Sequence, residues 1–334
     1  GIRAPAALLM MSARTAIGPR AHGKLNVVSA LSTFGIVATA VGVGATYVDF
    51  VTSVAAAAVP GVTPVIAAAA LFPVVLLFTV LGRLDILAYT SALGNVAVAA
   101  GIIAVIVDGA TTPAGVGVRP AFEPVEIARP VGAASFVGST SFLFAIHIIA
   151  LPVIEGIALS RRRVAVNAAF AVVTLLNLSF AVAAVVLFGA GVSSNVVDDV
   201  GSGPALLVAK GLLVLDLAAT MPVVLLAAVR VIERALRLSA RPARASYMLA
   251  LFVRTACVSV AFGIAFAVPD FGQLVSVVGG VVSCLMGFVL PPLLHAAVRH
   301  AHKSMGLLDW AGTVVISGCG LAAMVITLIQ TLGG

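Results

Sequence analysis

Ionisable side chains inside apolar stretches are the first residues in this sequence that could do chemistry. Asp216, His147 and Arg254 each lie within a long apolar run, and Lys210 lies nearer the end of one. A charged group at the depth of a lipid bilayer costs at least about 2.5–3.5 kcal/mol, so each needs a partner or a function. A carboxylate or an imidazole in that position can bind a cation or relay a proton.

Each of these residues also has a structural interpretation. Asp216 either acts as a proton or cation carboxylate or forms a structural ion pair with Arg254 or Lys210. His147 either lines a pathway as a polar group or proton relay, or is a packed residue bonded to a neighbouring backbone carbonyl. Arg254 is predicted to anchor an ion pair.

A run of hydroxyl side chains in the same stretch as His147 could line an unwound part of a helix: Ser139, Thr140 and Ser141. Such side chains in a span also hydrogen-bond back onto their own helix, which is the structural alternative. Pro152 removes one backbone hydrogen bond in a helix interior and therefore predicts a kink.

The elements that carry these residues follow from composition. The 334 residues are 62% hydrophobic and only 9% charged, whereas a soluble domain has about 25% charged residues. A span needs about 20 apolar residues, and nine stretches qualify: 26–48, 64–82, 86–107, 133–157, 164–188, 204–231, 246–268, 272–296 and 308–331. The sequence therefore predicts an all-α membrane protein with about nine transmembrane helices.

The predicted organisation has three parts. A basic extramembrane segment covers residues 1–25, one transmembrane domain covers 26–331, and an extramembrane loop covers 108–132. If each span crosses once, most of the 19 Lys and Arg residues fall on one side of the membrane. This positive-inside pattern explains the net charge of +7 without a nucleic-acid partner.

Clusters of arginine between the spans are candidates for binding anionic lipid headgroups such as cardiolipin: Arg161, Arg162, Arg163, Arg234, Arg237, Arg241 and Arg244. Topology determination alone is the alternative. We find no nucleotide-binding loop, no metal-ligand cluster and no nucleophile–base pair in the sequence, so we predict no cofactor, no metal and no enzymatic activity.

Several segments carry a resemblance. Residues 142–157 read FLFAIHIIALPVIEGI, with aromatic residues, a histidine, Leu-Pro and an acid in order, and residues 267–294 read AVPDFGQLVSVVGGVVSCLMGFVLPPLL. Together with 13–25 (ARTAIGPRAHGKL) and 84–107 (LDILAYTSALGNVAVAAGIIAVIV), they resemble the amino acid/auxin permease family, most closely its sodium-coupled neutral amino-acid transporter branch.

The resemblance implies a LeuT-like fold, in which a group of helices is repeated upside down and the substrate binds at the bilayer midplane between two broken helices. When these segments are aligned with the corresponding helices of the family, residue 26 begins the third helix. We therefore expect the first two helices to have no counterpart here, which would leave a partial bundle and half of the substrate site.

Two functions follow from this expectation. The chain is predicted to be a transport-incompetent structural or accessory subunit of a larger membrane assembly, such as a respiratory or ATP synthase complex, with other membrane subunits and the lipid bilayer as partners. The alternative is a proton- or sodium-coupled secondary transporter of neutral amino acids.

The N-terminal composition bears on the location. Residues 1–48 are rich in arginine and contain no acid, which is typical of mitochondrial targeting. The sequence thus predicts the mitochondrial inner membrane. Ordinary positive-inside flanking explains the same residues, with the plasma or vacuolar membrane as the alternative.

Overall fold

The described part of the chain is entirely helical. The computed structural model describes residues 22–82, 85–116, 121–124, 133–144, 157–201, 203–240, 242–268, 270–301 and 304–333, and these contain no strand. The α-helices are α1 His22–Ala58, α2 Pro64–Leu81, α3 Asp85–Thr111, α4 Ala133–Leu143, α5 Arg162–Phe188, α6 Pro204–Ala235, α7 Ala243–Ala267, α8 Phe271–Val277, α9 Leu290–Ala301 and α10 Leu307–Gly333. Two short 3-10 turns, Val196–Asp198 and Leu238–Ala240, follow α5 and α6.

Eight helical stretches in the described residues are long and apolar enough to cross a membrane. They coincide with eight of the nine predicted spans, so the prediction of an all-α integral membrane protein is confirmed. Of the remaining predicted span, 133–157, the structure describes α4 and a turn at Phe144. His147 and Pro152 lie outside the described residues. The inverted-repeat arrangement stays a prediction.

The first span is longer than predicted. The sequence predicts its end at residue 48, where Asp49 follows, but α1 continues to Ala58. Asp49 is followed by the apolar run that begins with Phe50, and no helix-breaking residue occurs until Pro60. A proline disfavours helical geometry in the residue before it, so the helix ends there rather than at the first charge.

The next helix shows how sequence sets its two ends. Thr63 precedes α2, and its side-chain oxygen accepts a hydrogen bond from the amide of Ile66 at 3.3 Å. Pro64 occupies the first turn, where its missing N–H has no cost. At the other end Gly82 adopts a left-handed φ of 61° and donates its amide to the Phe78 carbonyl, as helix-terminating glycines do.

The chain folds into two compact units. The first comprises residues 1–40, 130–162 and 273–334, and the second comprises 41–129 and 163–272. In the second unit Met221, Leu225 and Val258 are fully buried among α6, α7 and the later part of α1. Phe72 of α2 packs edge-on against Phe262 of α7, with ring centroids 5.2 Å apart.

Within this second unit, α5 differs from its neighbours because almost none of its surface is covered, and Phe188 is its one buried residue. Two of its polar side chains bond to the backbone of the same helix: Asn177 donates to the Val173 carbonyl at 2.8 Å, and Ser179 donates to the Leu175 carbonyl at 2.7 Å. Such a helix suits direct contact with lipid, where no water is available to polar groups.

The arginines predicted to meet lipid headgroups lie at helix ends. Arg161, Arg163, Arg234, Arg237 and Arg244 are exposed. Arg162 is half-buried and donates its Nε to the Ile157 carbonyl at 2.8 Å, while Arg241 lies outside the described residues. Lipid binding at these positions stays a prediction.

Candidate functional site

Asp216 lies in the middle of α6 and points at the backbone of α3. The close approach is made at Gly94, where a Cβ atom would lie 2.0 Å from Asp216 Oδ1. The carboxylate therefore occupies space that any side chain at position 94 would need. Gly101 lies two turns along α3 and makes the same kind of contact with Leu213. Small residues at both positions let α3 and α6 pack backbone to side chain.

Two further groups surround the Asp216 carboxylate. Thr220 follows it by one helical turn, and its hydroxyl donates to Asp216 Oδ1 at 3.5 Å. Tyr47, on α1 in the same unit, lies within electrostatic range. Asp216 is thus a partly buried carboxylate in contact with the Thr220 hydroxyl and with the glycine at position 94.

The basic residues predicted to neutralise Asp216 bind elsewhere. Arg254 of α7 forms its ion pair with Glu233 of α6, with Nε 3.0 Å from Oε1. Lys210 donates its Nζ to the carbonyl of Val200 at 2.9 Å. Among the described residues, neither cation pairs with Asp216. The reason is position: Lys210 lies near the start of α6, beside the preceding connection, and Arg254 lies beside the opposite end of α6.

Lys210 and two aspartates form hydrogen bonds that stabilise the connection between α5 and α6. Asp108 at the end of α3 accepts a 3.5 Å hydrogen bond from the amide of Gly201. Asp199 accepts two bonds from Ser193, at 2.7 Å from its amide and 2.6 Å from its hydroxyl. Burial raises the pKa of the neighbouring Asp198, and the positive charge of Lys210 opposes that rise.

In the first unit, the predicted hydroxyl run lies on a regular helix. Ser139, Thr140 and Ser141 belong to α4, which is helical through Leu143, so the predicted unwound stretch does not occur at these residues. Ser139 and Thr140 are half-buried and Ser141 is buried. Cys284 donates to the Ser141 hydroxyl at 3.2 Å.

The backbone of α4 meets the segment after α8 with almost no side chain between them. A Cβ atom on Gly138 would lie 2.6 Å from the carbonyl oxygen of Ser276, and one on Gly279 would lie 1.9 Å from the carbonyl oxygen of Gly138. This contact places α4 beside a second set of polar residues, Ser276 and Cys284.

Sequence reasoning missed Thr220, Gly94, Glu233 and Cys284 as members of these groups. Thr220 had a usable signal, since residues four apart share a helix face. The other three depend on which helices pack together. Among the described residues, no group of three or more His, Cys, Asp and Glu side chains could hold a metal ion.

Comparison with known proteins gives two matches. A family model described as "Transmembrane amino acid transporter protein" matches residues 10–332. The Arabidopsis thaliana protein "Amino acid transporter AVT3C" is 28% identical over 152 residues, which is 45% of this chain and 33% of that protein. The matched region is thus about a third of the relative's length. Since the family model spans nearly the whole chain, the protein is a member of the transmembrane amino acid transporter family.

Proposed function

We propose that the protein is a secondary carrier of neutral amino acids and that Asp216 binds the coupling cation, a proton or sodium. The observation that carries this proposal is a carboxylate in mid-span, against Gly94 and Thr220, without a basic partner among the described residues. An unneutralised carboxylate at that depth is costly. A cation that arrives and leaves during each cycle would offset this cost.

The hydroxyl groups of α4 support a zwitterionic substrate with no net charge. Ser139 and Thr140 remain half-buried on α4, and neither is engaged in a described side-chain bond. Hydroxyl groups can donate to a carboxylate and accept from an ammonium group, the two ends that every neutral amino acid presents. Family membership and the name of the Arabidopsis relative support amino acids as the substrate.

Uptake by the purified chain tests this proposal. The protein is reconstituted into liposomes, and entry of a labelled mixture of neutral amino acids is followed under an imposed proton gradient and, separately, a sodium gradient. Gradient-dependent uptake above protein-free liposomes is expected. Equal uptake by the two preparations under both gradients would contradict the proposal.

The structural-subunit role predicted from the sequence finds no support in the described residues or in the comparisons. Purification from the native membrane in mild detergent tests this role. A subunit of a respiratory or ATP synthase complex would migrate with a large assembly. The mitochondrial location and a cardiolipin partner stay predictions of the sequence, with the plasma or vacuolar membrane as the alternative location.

A further inference from the structure

Two successive wide helical turns join α8 to α9. They comprise Val278–Ser283 and Leu285–Val289. The amide of Cys284 donates to the carbonyl of Gly279, and the amide of Leu290 donates to that of Leu285, five residues earlier in each case. An α-helix bonds four residues back. Such π-helical turns are rare and occur mostly as single turns at functional sites, so two in succession need a cause.

The prolines that follow supply one cause. Pro291 and Pro292 have no N–H, so they cannot donate to the carbonyls of residues 287 and 288 as an α-helix requires. Their rings would also crowd those carbonyls. A wider turn moves the carbonyls away from the proline rings. Each carbonyl can then accept a hydrogen bond from a different amide.

Close packing in the first unit holds the wide turns in place. Gly279 lies directly against the Gly138 carbonyl of α4. Gly280 faces α10, where an added Cβ would lie 2.2 Å from the hydroxyl oxygen of Thr327. These contacts favour the widened form through tertiary packing, whereas the local hydrogen bonding of an ordinary peptide favours the α form.

Ser283 shows what the widened form costs. Its side chain is 2% exposed, and it is one of two buried serine hydroxyls without a hydrogen-bond partner among the described residues. Hydroxyl groups in the regular helices of the same unit bond back four residues, as Thr39 does to Gly35 and Thr327 to Ala323. In an α-helical turn Ser283 would reach the Gly279 carbonyl in the same way.

We propose that residues 278–289 are a conformational switch that alternates between these wide turns and α-helical turns. Conversion of one wide turn shifts the register by one residue, which rotates the attached helix by about 100°. Cys284 then leaves Ser141, and Ser283 gains its missing partner. The proposal deepens the carrier function and rests on it, because the rotation changes the surface that faces the hydroxyl groups of α4.

The thiol of Cys284 reports on this switch directly. Cys284 is 1% exposed and Cys257, on the regular helix α7, is 6% exposed. The purified chain is treated with a small maleimide in mild detergent, and labelling of each cysteine is followed by peptide mass spectrometry. If the switch operates, Cys284 is labelled about tenfold faster than Cys257 or more, because local opening needs less free energy than opening of a core helix. Equal labelling, or slower labelling of Cys284, would overturn the proposal.

A pair of variants tests the cause. Pro291→Ala with Pro292→Ala restores two donors for the α form and should accelerate Cys284 labelling roughly 5- to 150-fold. Pro73→Ala in α2 is the matched control, and it should leave Cys284 labelling unchanged. Equal rates in the two variants would overturn the proposal.

Amide hydrogen exchange of the unaltered chain tests the switch without the double variant, which matters if that variant does not fold. Residues 278–290 should exchange faster than residues 253–265 of α7, and equal protection would overturn the switch. Neither readout requires transport. Loss of the carrier function with fast Cys284 labelling would therefore refute the carrier alone.

Discussion

The guanidinium of Arg254 lies 3.0 Å from the carboxylate of Glu233 and joins α7 to α6. The same guanidinium donates through Nη1 to the carbonyls of Thr79 and Val80 in the last turn of α2. Carbonyls at a helix C-terminus lack partners within the helix and carry partial negative charge. One side chain of α7 therefore satisfies groups on two other helices, α6 and α2, and links the three.

Removing this guanidinium should destabilise the second unit. Both side chains of the pair are about four-fifths buried, at 22% and 20% exposure, and charge-assisted hydrogen bonds contribute about 1.5–3 kcal/mol each. Arg254→Ala should lower the thermal unfolding temperature in mild detergent markedly. Arg254→Lys should lower it less, since it keeps the charge but loses the planar fork.

The ion pair between Arg299 and Asp309 provides the control for that experiment. It is shorter, at 2.7 Å, but its side chains are 40% and 28% exposed. Exposed pairs contribute about 0–1 kcal/mol, so Arg299→Ala should shift the unfolding temperature little. Equal shifts for Arg254→Ala and Arg299→Ala would mean that the three-helix contact does not form.

A methyl group at position 94 should displace the Asp216 carboxylate. Gly94→Ala places an atom 2.0 Å from Oδ1 and 2.7 Å from Cγ, and overpacking of this kind costs about 1–3 kcal/mol. We expect a lower unfolding temperature and reduced uptake. Gly211→Ala in α6 is the matched control, because nothing lies within 4 Å of its Cβ position. If both variants unfold alike, α3 and α6 do not meet at Gly94.

Replacement of Asp198 and replacement of its neighbour Asp199 by asparagine should have opposite effects on stability at pH 7. Burial raises the pKa of Asp198 above its ordinary value of 3.8, so the folded state holds that proton more tightly than the unfolded state. The associated stability is present below pH 3.8 and is lost as pH rises through the folded pKa. Asp198→Asn should therefore raise the unfolding temperature at pH 7, with a gain that shrinks towards pH 4.

Asp199→Asn is the contrasting variant. The Asp199 carboxylate accepts two hydrogen bonds from Ser193, and an amide can replace only part of that acceptor capacity. It should lower the unfolding temperature at pH 7. A destabilising Asp198→Asn at pH 7, measured over the same pH series, would contradict the raised pKa of the Asp198 carboxyl.

The sequence was sufficient to predict the apolar helices, because a run of about 20 apolar residues is typical of a transmembrane helix. The predicted end of α1 at residue 48 is wrong, because a single charge such as Asp49 does not end a helix, whereas Pro60 does. The partner of Arg254 was not predictable from spacing, since Glu233 is on another helix. The wide turns before Pro291 depend on a balance between local hydrogen bonds and tertiary packing. Sequence patterns indicate the local hydrogen bonds but not the packing.

The direct test of the central claim is uptake by Asp216→Asn in liposomes, measured against the concentration of the coupling cation. The amide keeps the size of the side chain and removes its charge. Because a charged contact contributes about 1.5–3 kcal/mol, the affinity for sodium should fall roughly 10- to 100-fold. If the coupling cation is a proton, the dependence of uptake on the proton gradient should be lost, because an amide does not titrate. Asp309→Asn, which removes a carboxylate at the exposed start of α10, should keep the parent's dependence. Unchanged cation dependence in Asp216→Asn would contradict the account.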